Sequence, residues 1–162
     1  MKKELLDYYP QIDQDNIKIT GTPQFDFYFK SNMILDKSDF AQKFGLDPSK
    51  NWICFSGCDS LTSPNDPKYL RDTALSLKDD SSIQLVFRPV PVESTERFHE
   101  VLSDFPQIKL LKPIWKKGDH WGNYFPLYDD IQMLVNLAYH CPVVINLGST
   151  MALDFSTFGN IG

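Results

Sequence analysis

The chain has no basic excess: 16 Lys and Arg stand against 21 Asp and Glu, a formal charge of −5 over 162 residues. A surface that binds nucleic acid or an anionic membrane broadly needs clustered cations to displace phosphate counterions, so this balance argues against both as general partners. An anionic ligand then requires a local site. Cysteine is nearly as scarce. Cys54, Cys58 and Cys141 cannot all pair with one another, and the N-terminus lacks a basic start followed by an apolar run and a cleavage site, so a reduced, cytoplasmic setting is expected. No apolar run approaches the roughly 20 residues that span a bilayer. The longest are broken by Pro, Asn or charge, which leaves room only for a peripheral place in a membrane-associated complex, at the inner face. No metal centre is expected either. The spacing of Cys54 and Cys58 is not the usual two-residue knuckle, no matching second pair exists, and His140 and Cys141 are adjacent, which points them in different directions.

What is present is 42% hydrophobic sequence in a chain about one domain long, enough to bury a real core. Residues 1–50 read as an interdomain lead-in and connector. A helix over 1–9 stops at Pro10, a short β-type run over 17–20 closes at Gly21, Thr22 and Pro23, and helical stretches are expected over 25–33 and 38–44. The second of these opens on a Ser38 cap and ends at Gly45. From Trp52 onward the pattern is regular. Apolar runs at 52–55, 83–87, 108–111 and 143–147 alternate with segments whose apolar residues fall at helical spacing: Leu70, Ala74 and Leu77; Phe98, Val101, Leu102 and Phe105; Leu127, Ile131, Leu134 and Ala138. Strands without polar alternation, joined by crossover helices, predict a Rossmann-like, doubly wound parallel α/β sheet over 51–162.

In such sheets ligands gather outside the carboxyl ends of the strands. Gly148, Ser149 and Thr150 follow the last predicted strand, where helix amides, the positive dipole end and two hydroxyls together suit a phosphate. Thr150 and Asp154 share a helix face, which offers a carboxylate to ribose hydroxyls. The alternative is that Ser149 caps the helix and Asp154 is a solvated first-turn acid. Arg88, at another strand end, suits bidentate phosphate binding or a salt bridge with Glu93 or Glu96. Ser56 and Gly57 end the first strand as a plain turn. Residues 113–126 carry Trp115, Trp121, Tyr124 and Phe125 among Lys116, Lys117, Asp119, His120 and Asn123, rich for a simple connection. His99 falls in a helical pattern and reads as structural or solvated.

Residues 148–155, with 143–146 before them, resemble the nucleotide-sugar signature of the GT-B superfamily of glycosyltransferases. The pair Asp154 and Phe155 is similar to the acidic helix of the CDP-glycerol glycerophosphotransferases and related surface-polysaccharide enzymes. Residues 20–26, TGTPQFD, resemble the stretch that joins the two Rossmann-like domains of these proteins, and 87–91, FRPVP, resembles their Arg-Pro-His-Pro element, with Val90 where histidine is common. The resemblance implies the donor-nucleotide-binding C-terminal half of a GT-B enzyme, truncated at its end and without the N-terminal Rossmann-like domain that supplies the acceptor site. It further implies metal-independent transfer of a glycosyl or polyol-phosphate group from a UDP- or CDP-linked donor in polysaccharide or cell-envelope synthesis, with no cofactor required and little activity in this chain alone. Arg88, Gly148, Ser149 and Thr150 would face the donor phosphates and Asp154 the ribose. Ser56, Gly57, Trp115, His120, Trp121 and Asn123 would line the cleft or contact the base; the catalytic base stays unassigned. Two alternatives remain open, a nucleotide-sugar 2-epimerase-like domain and a non-catalytic nucleotide-binding or assembly module.

Overall fold

The computed structural model describes residues 2–160. Ile161 and Gly162, the last residues of the domain expected over 51–162, lie outside the described residues, as does the side chain of Trp121.

Helix α1 (Lys2–Tyr8) buries no residue and stops before Pro10. The expected β-type run at 17–20 forms no ladder, and Ile19 is exposed. β-Branched residues favour extended backbone, but a strand needs a partner, and none among the described residues pairs with this segment. The stretch 25–33 is helical as expected, but as two 3-10 segments, Pro23–Phe29 and Ser31–Met33. Helix α2 (Lys37–Phe44) is capped by Asp36, whose carboxylate accepts the Ser38 amide at 2.8 Å, in place of the expected Ser38 cap. Gly45 closes it with φ 66°, a left-handed conformation that glycine adopts without strain.

Strand β1 (Asn51–Ser56), helix α3 (Asp66–Leu77), strand β2 (Ile83–Arg88), helix α4 (His99–Asp104) and strand β3 (Lys109–Leu110) follow in order. Two two-residue strands, β4 (Trp115–Lys116) and β5 (Phe125–Pro126), pair antiparallel as a separate ladder. Helix α5 (Tyr128–His140), strand β6 (Val143–Ile145) and helix α6 (Met151–Ser156) complete the described chain. The main sheet runs β3-β2-β1-β6 and is parallel throughout, with Ile53 opposite Leu85 on one side and Val143 on the other.

Two cores explain why the strands read as continuous apolar runs. Phe55, Leu85 and Phe87 pack under α3 and α4 with Leu70, Ala74, Phe98 and Val101. Trp52, Cys54, Val86 and Val144 face the other way, toward α2, α5 and α6. The central strands β1 and β2 are covered on both faces along their carboxyl halves, which leaves no polar alternation there. The stretch expected as a connector is part of the second core. Tyr28, Met33, Phe40 and Ala41 are buried there, and Asn136 of α5 fixes them in place. Its Oδ1 accepts the Leu35 amide at 2.8 Å and its Nδ2 donates to the Met33 carbonyl at 2.7 Å. No helix among the described residues is long and apolar enough to cross a membrane.

His140, at the end of α5, packs against Phe40 and Trp52, with Nε2 3.0 Å from the Leu35 carbonyl. Burial holds its pKa below the ordinary value, and the repulsion of Lys37 adds to this against opposing effects of Leu35 and Asp36. The folded state therefore binds this proton less readily than the unfolded chain does. The stability that the neutral ring contributes is present above an unfolded pKa near 6.5 and is lost as pH falls toward the depressed folded value. Urea midpoints at about pH 7.5 and 5.5 should fall more for the parent than for His140→Gln; equal falls would assign the pH response elsewhere.

Candidate functional site

The order β3-β2-β1-β6 places a change of winding direction between β1 and β6. From β1 the chain steps outward through β2 and β3, then returns across the other face to pair β6 with β1. The carboxyl ends of β1 and β6 thus flank a switch point, where neighbouring loops diverge and leave a crevice. Ser56 ends β1, and residues 146–150 leave β6.

The two loops meet there. The Ser56 hydroxyl lies 3.2 Å from Ser149 Oγ and 3.0 Å from Met151 Sδ. Ser149 Oγ also accepts the Met151 amide at 3.3 Å, and the Ser149 amide donates to Asn146 Oδ1 at 3.0 Å. These bonds correct one expectation. The Ser149 and Met151 amides are satisfied within the turn and do not point outward, because Asn146 folds back under the loop. Helix α6 is only six residues long, so its dipole adds little. Hydroxyls carry the donor capacity instead. Ser149 Oγ accepts the Met151 amide and shares a hydrogen bond with the Ser56 hydroxyl, whose single proton also faces Met151 Sδ, and Thr150, exposed at the helix cap position, makes no side-chain cap bond.

The two glycines of the site differ. Gly57 is fixed by packing, since a Cβ there would stand 3.1 Å from the Phe87 ring. Gly148 is not needed for the turn. Its φ is not positive, and an added Cβ would meet only Thr62 Cγ2, at 4.0 Å. Gly148 and Thr150 are exposed and Ser149 half-buried, so the turn presents an open, hydroxyl-lined surface.

Arg88 and Asp154 are both buried. Arg88 is 5% exposed and donates to Asp130 Oδ2 at 2.8 Å, neither free nor paired with Glu93 or Glu96. Asp130 also accepts the Ile114 amide at 2.8 Å and Trp115 Nε1 at 2.7 Å, so Trp115 anchors the 112–126 segment to the sheet. Asp154 is 7% exposed, beside the buried Tyr28 hydroxyl, which makes no hydrogen bond of ordinary geometry. Burial raises the Asp154 pKa, against the nearby Tyr28 hydroxyl and the charge of Arg88. Burial also raises that of Tyr28, with the Asp154 carboxylate adding to it. Asp154 is therefore not the solvated first-turn acid considered from the sequence; it faces inward.

His120 and Asn123 sit on the exposed part of the 112–126 segment, where His120 Nδ1 accepts the Gly122 amide at 3.1 Å and the Asn123 amide donates to the His120 carbonyl at 2.8 Å. The structure thus joins Ser56 to Ser149 directly, links Arg88 to Trp115 through Asp130, and leaves His120 and Asn123 on a hairpin. The three cysteines are buried and free, and burial pushes the Cys54 thiol up to about 12. Among the described residues no group of three or more His, Cys, Asp or Glu is placed to hold a metal ion.

Sequence reasoning missed the residues that shape the loop after β1. Asp66 accepts the Cys58 amide at 2.6 Å and the Ser63 hydroxyl at 2.6 Å, and Arg97 donates to the Ser63 and Cys58 carbonyls at 2.9 and 2.5 Å. Glu93 accepts Ser60 through both its amide and its hydroxyl. The only local signal was Asp66-Pro67 at the start of a helix. A scan against protein-family models finds no match to this chain, and a search of curated proteins finds none.

Proposed function

We propose that the chain is the donor-nucleotide-binding part of a glycosyl- or polyol-phosphate transferase, with UDP- or CDP-linked donors as substrates. The observation that carries this reading is the meeting of Ser56 and Ser149 at the switch point of a parallel sheet, below an exposed Gly-Ser-Thr turn. The Ser149 and Thr150 hydroxyls donate to the donor phosphates, and Gly148 keeps the approach to the turn open. Such fixed donors stabilise charge that develops on a departing nucleotide without a metal. Arg88 is buried against Asp130, and the proposed ribose contact of Asp154 requires the ligand to reach a carboxylate that is nearly covered. The resemblance of residues 143–155 to the nucleotide-sugar signature of GT-B enzymes points the same way.

Calorimetric titration with UDP and CDP tests it. Saturable binding with a Kd on the order of 1 mM or tighter is expected. Ser149→Ala should weaken it by about tenfold or more, the loss of one hydrogen bond to a charged group. Silence toward both nucleotides, or full affinity in Ser149→Ala, would remove this turn as the donor site.

A further inference from the structure

A second cavity lies at the carboxyl ends of β2 and β3, on the other side of β1 from the Ser149 turn. It holds about 370 Å³, and neither Ser149 nor Gly148 lines it. Its walls include Pro89, Pro91 and Pro113, with Lys112, Lys117 and Thr95 beside them.

The chemistry of this lining is specific. Proline has no amide hydrogen and a fixed φ, so the walls are stiff and offer few backbone donors. Hydrogen-bond donation falls to side chains, and the two strongest are ammonium groups. Among the described residues no carboxylate lies within ion-pair distance of Lys112 or Lys117, although acids outnumber bases in the chain. The one carboxylate in the lining, Glu93, is engaged by the Ser60 amide and hydroxyl and lies 3.9 Å from Arg97 Nε. Ser94, also in the lining, accepts the Glu96 amide at 3.2 Å and retains its own proton to donate. The Trp115–Asp130 bond anchors the segment between the two lysines, whose side chains are exposed, with Lys117 Nζ 5.8 Å from the Tyr124 ring.

We propose that this cavity is a second binding site, for a small phosphorylated compound with a compact, partly apolar body. Lys112 and Lys117 hold the phosphate while the proline walls take the body. The site is independent of the nucleotide reading, since it shares no lining residue with the Ser149 turn.

The test is a titration of the ¹⁵N-labelled chain with phenyl phosphate, with phenol as the neutral control, read by amide chemical shifts. Saturable shifts at residues 92–95 and 114–117 are expected from phenyl phosphate and not from phenol. Lys112→Gln combined with Lys117→Gln should weaken binding by about tenfold or more while the rest of the spectrum keeps its dispersion, and Ser149→Ala should leave it unchanged. Shifts confined to residues 146–151, equal affinity in the lysine double variant, or no shift at about 20 mM ligand would overturn the proposal. A failure of UDP and CDP to bind the Ser149 turn would leave these outcomes unaffected.

Discussion

Replacing Asp130 with Ala is expected to cost about 3–5 kcal/mol of folding stability, because it leaves the Arg88 guanidinium buried with no counter-charge in contact. The same carboxylate accepts the Ile114 amide and the Trp115 indole, and both lose their partner in a region with little water access. Asp154 is the other acid whose charge couples to Arg88, but no ion pair joins the two, so it compensates only in part. Asp130→Asn should be milder, since an amide oxygen still accepts one hydrogen bond. Urea denaturation gives the stabilities, and Trp115 provides a local readout, since its indole leaves a charged acceptor in Asp130→Ala. A loss below about 1 kcal/mol would show that water or a rotated Asp154 replaces the missing charge.

Trp52→Ala should be about as severe, about 3–5 kcal/mol, for a different reason. Its side chain is fully buried where β1, α2 and the end of α5 converge. The ring packs against Phe40 and His140, Lys37 lies 4.9 Å above it, and Nε1 donates to the Asp47 carbonyl at 2.8 Å. Alanine removes the packing and leaves a large void, whereas Trp52→Phe retains much of the ring volume and forfeits mainly the hydrogen bond. The expected order in denaturant is therefore parent, Phe variant, Ala variant. An Ala variant within about 1 kcal/mol of the parent would mean that Phe40 and the α2 helix collapse into the space.

The parallel sheet was legible because burial on both faces leaves an unbroken apolar run, and the runs at 52–55 and 83–87 lie within the observed β1 and β2. The ends were less legible. The run at 108–111 yields only Lys109–Leu110 as strand, because pairing depends on a neighbour's register and not on the residues themselves. The Ser149 turn could be placed from its position after a strand, but the inward fold of Asn146 could not, since an Asn there is equally suited to solvent. Arg88 shows the limit most clearly. Nearby Glu93 and Glu96 were the natural partners along the chain, yet the acid it meets is Asp130, 42 residues away, which reads in sequence as an ordinary first-turn helix acid. The N-terminal apolar residues looked like a connector for the same reason: the face of α5 that covers them has no local signature.

The bonds from Asn136 to Leu35 and Met33 span 101 and 103 residues. Synthesis proceeds from the N-terminus at about 5–20 residues per second, so about 5–20 s pass between the appearance of these two partners. During that interval Tyr28, Met33 and Phe40 have no α5 to rest on. The stretch from Tyr28 to Ala41 therefore stays without its packing partner until α5 has been made.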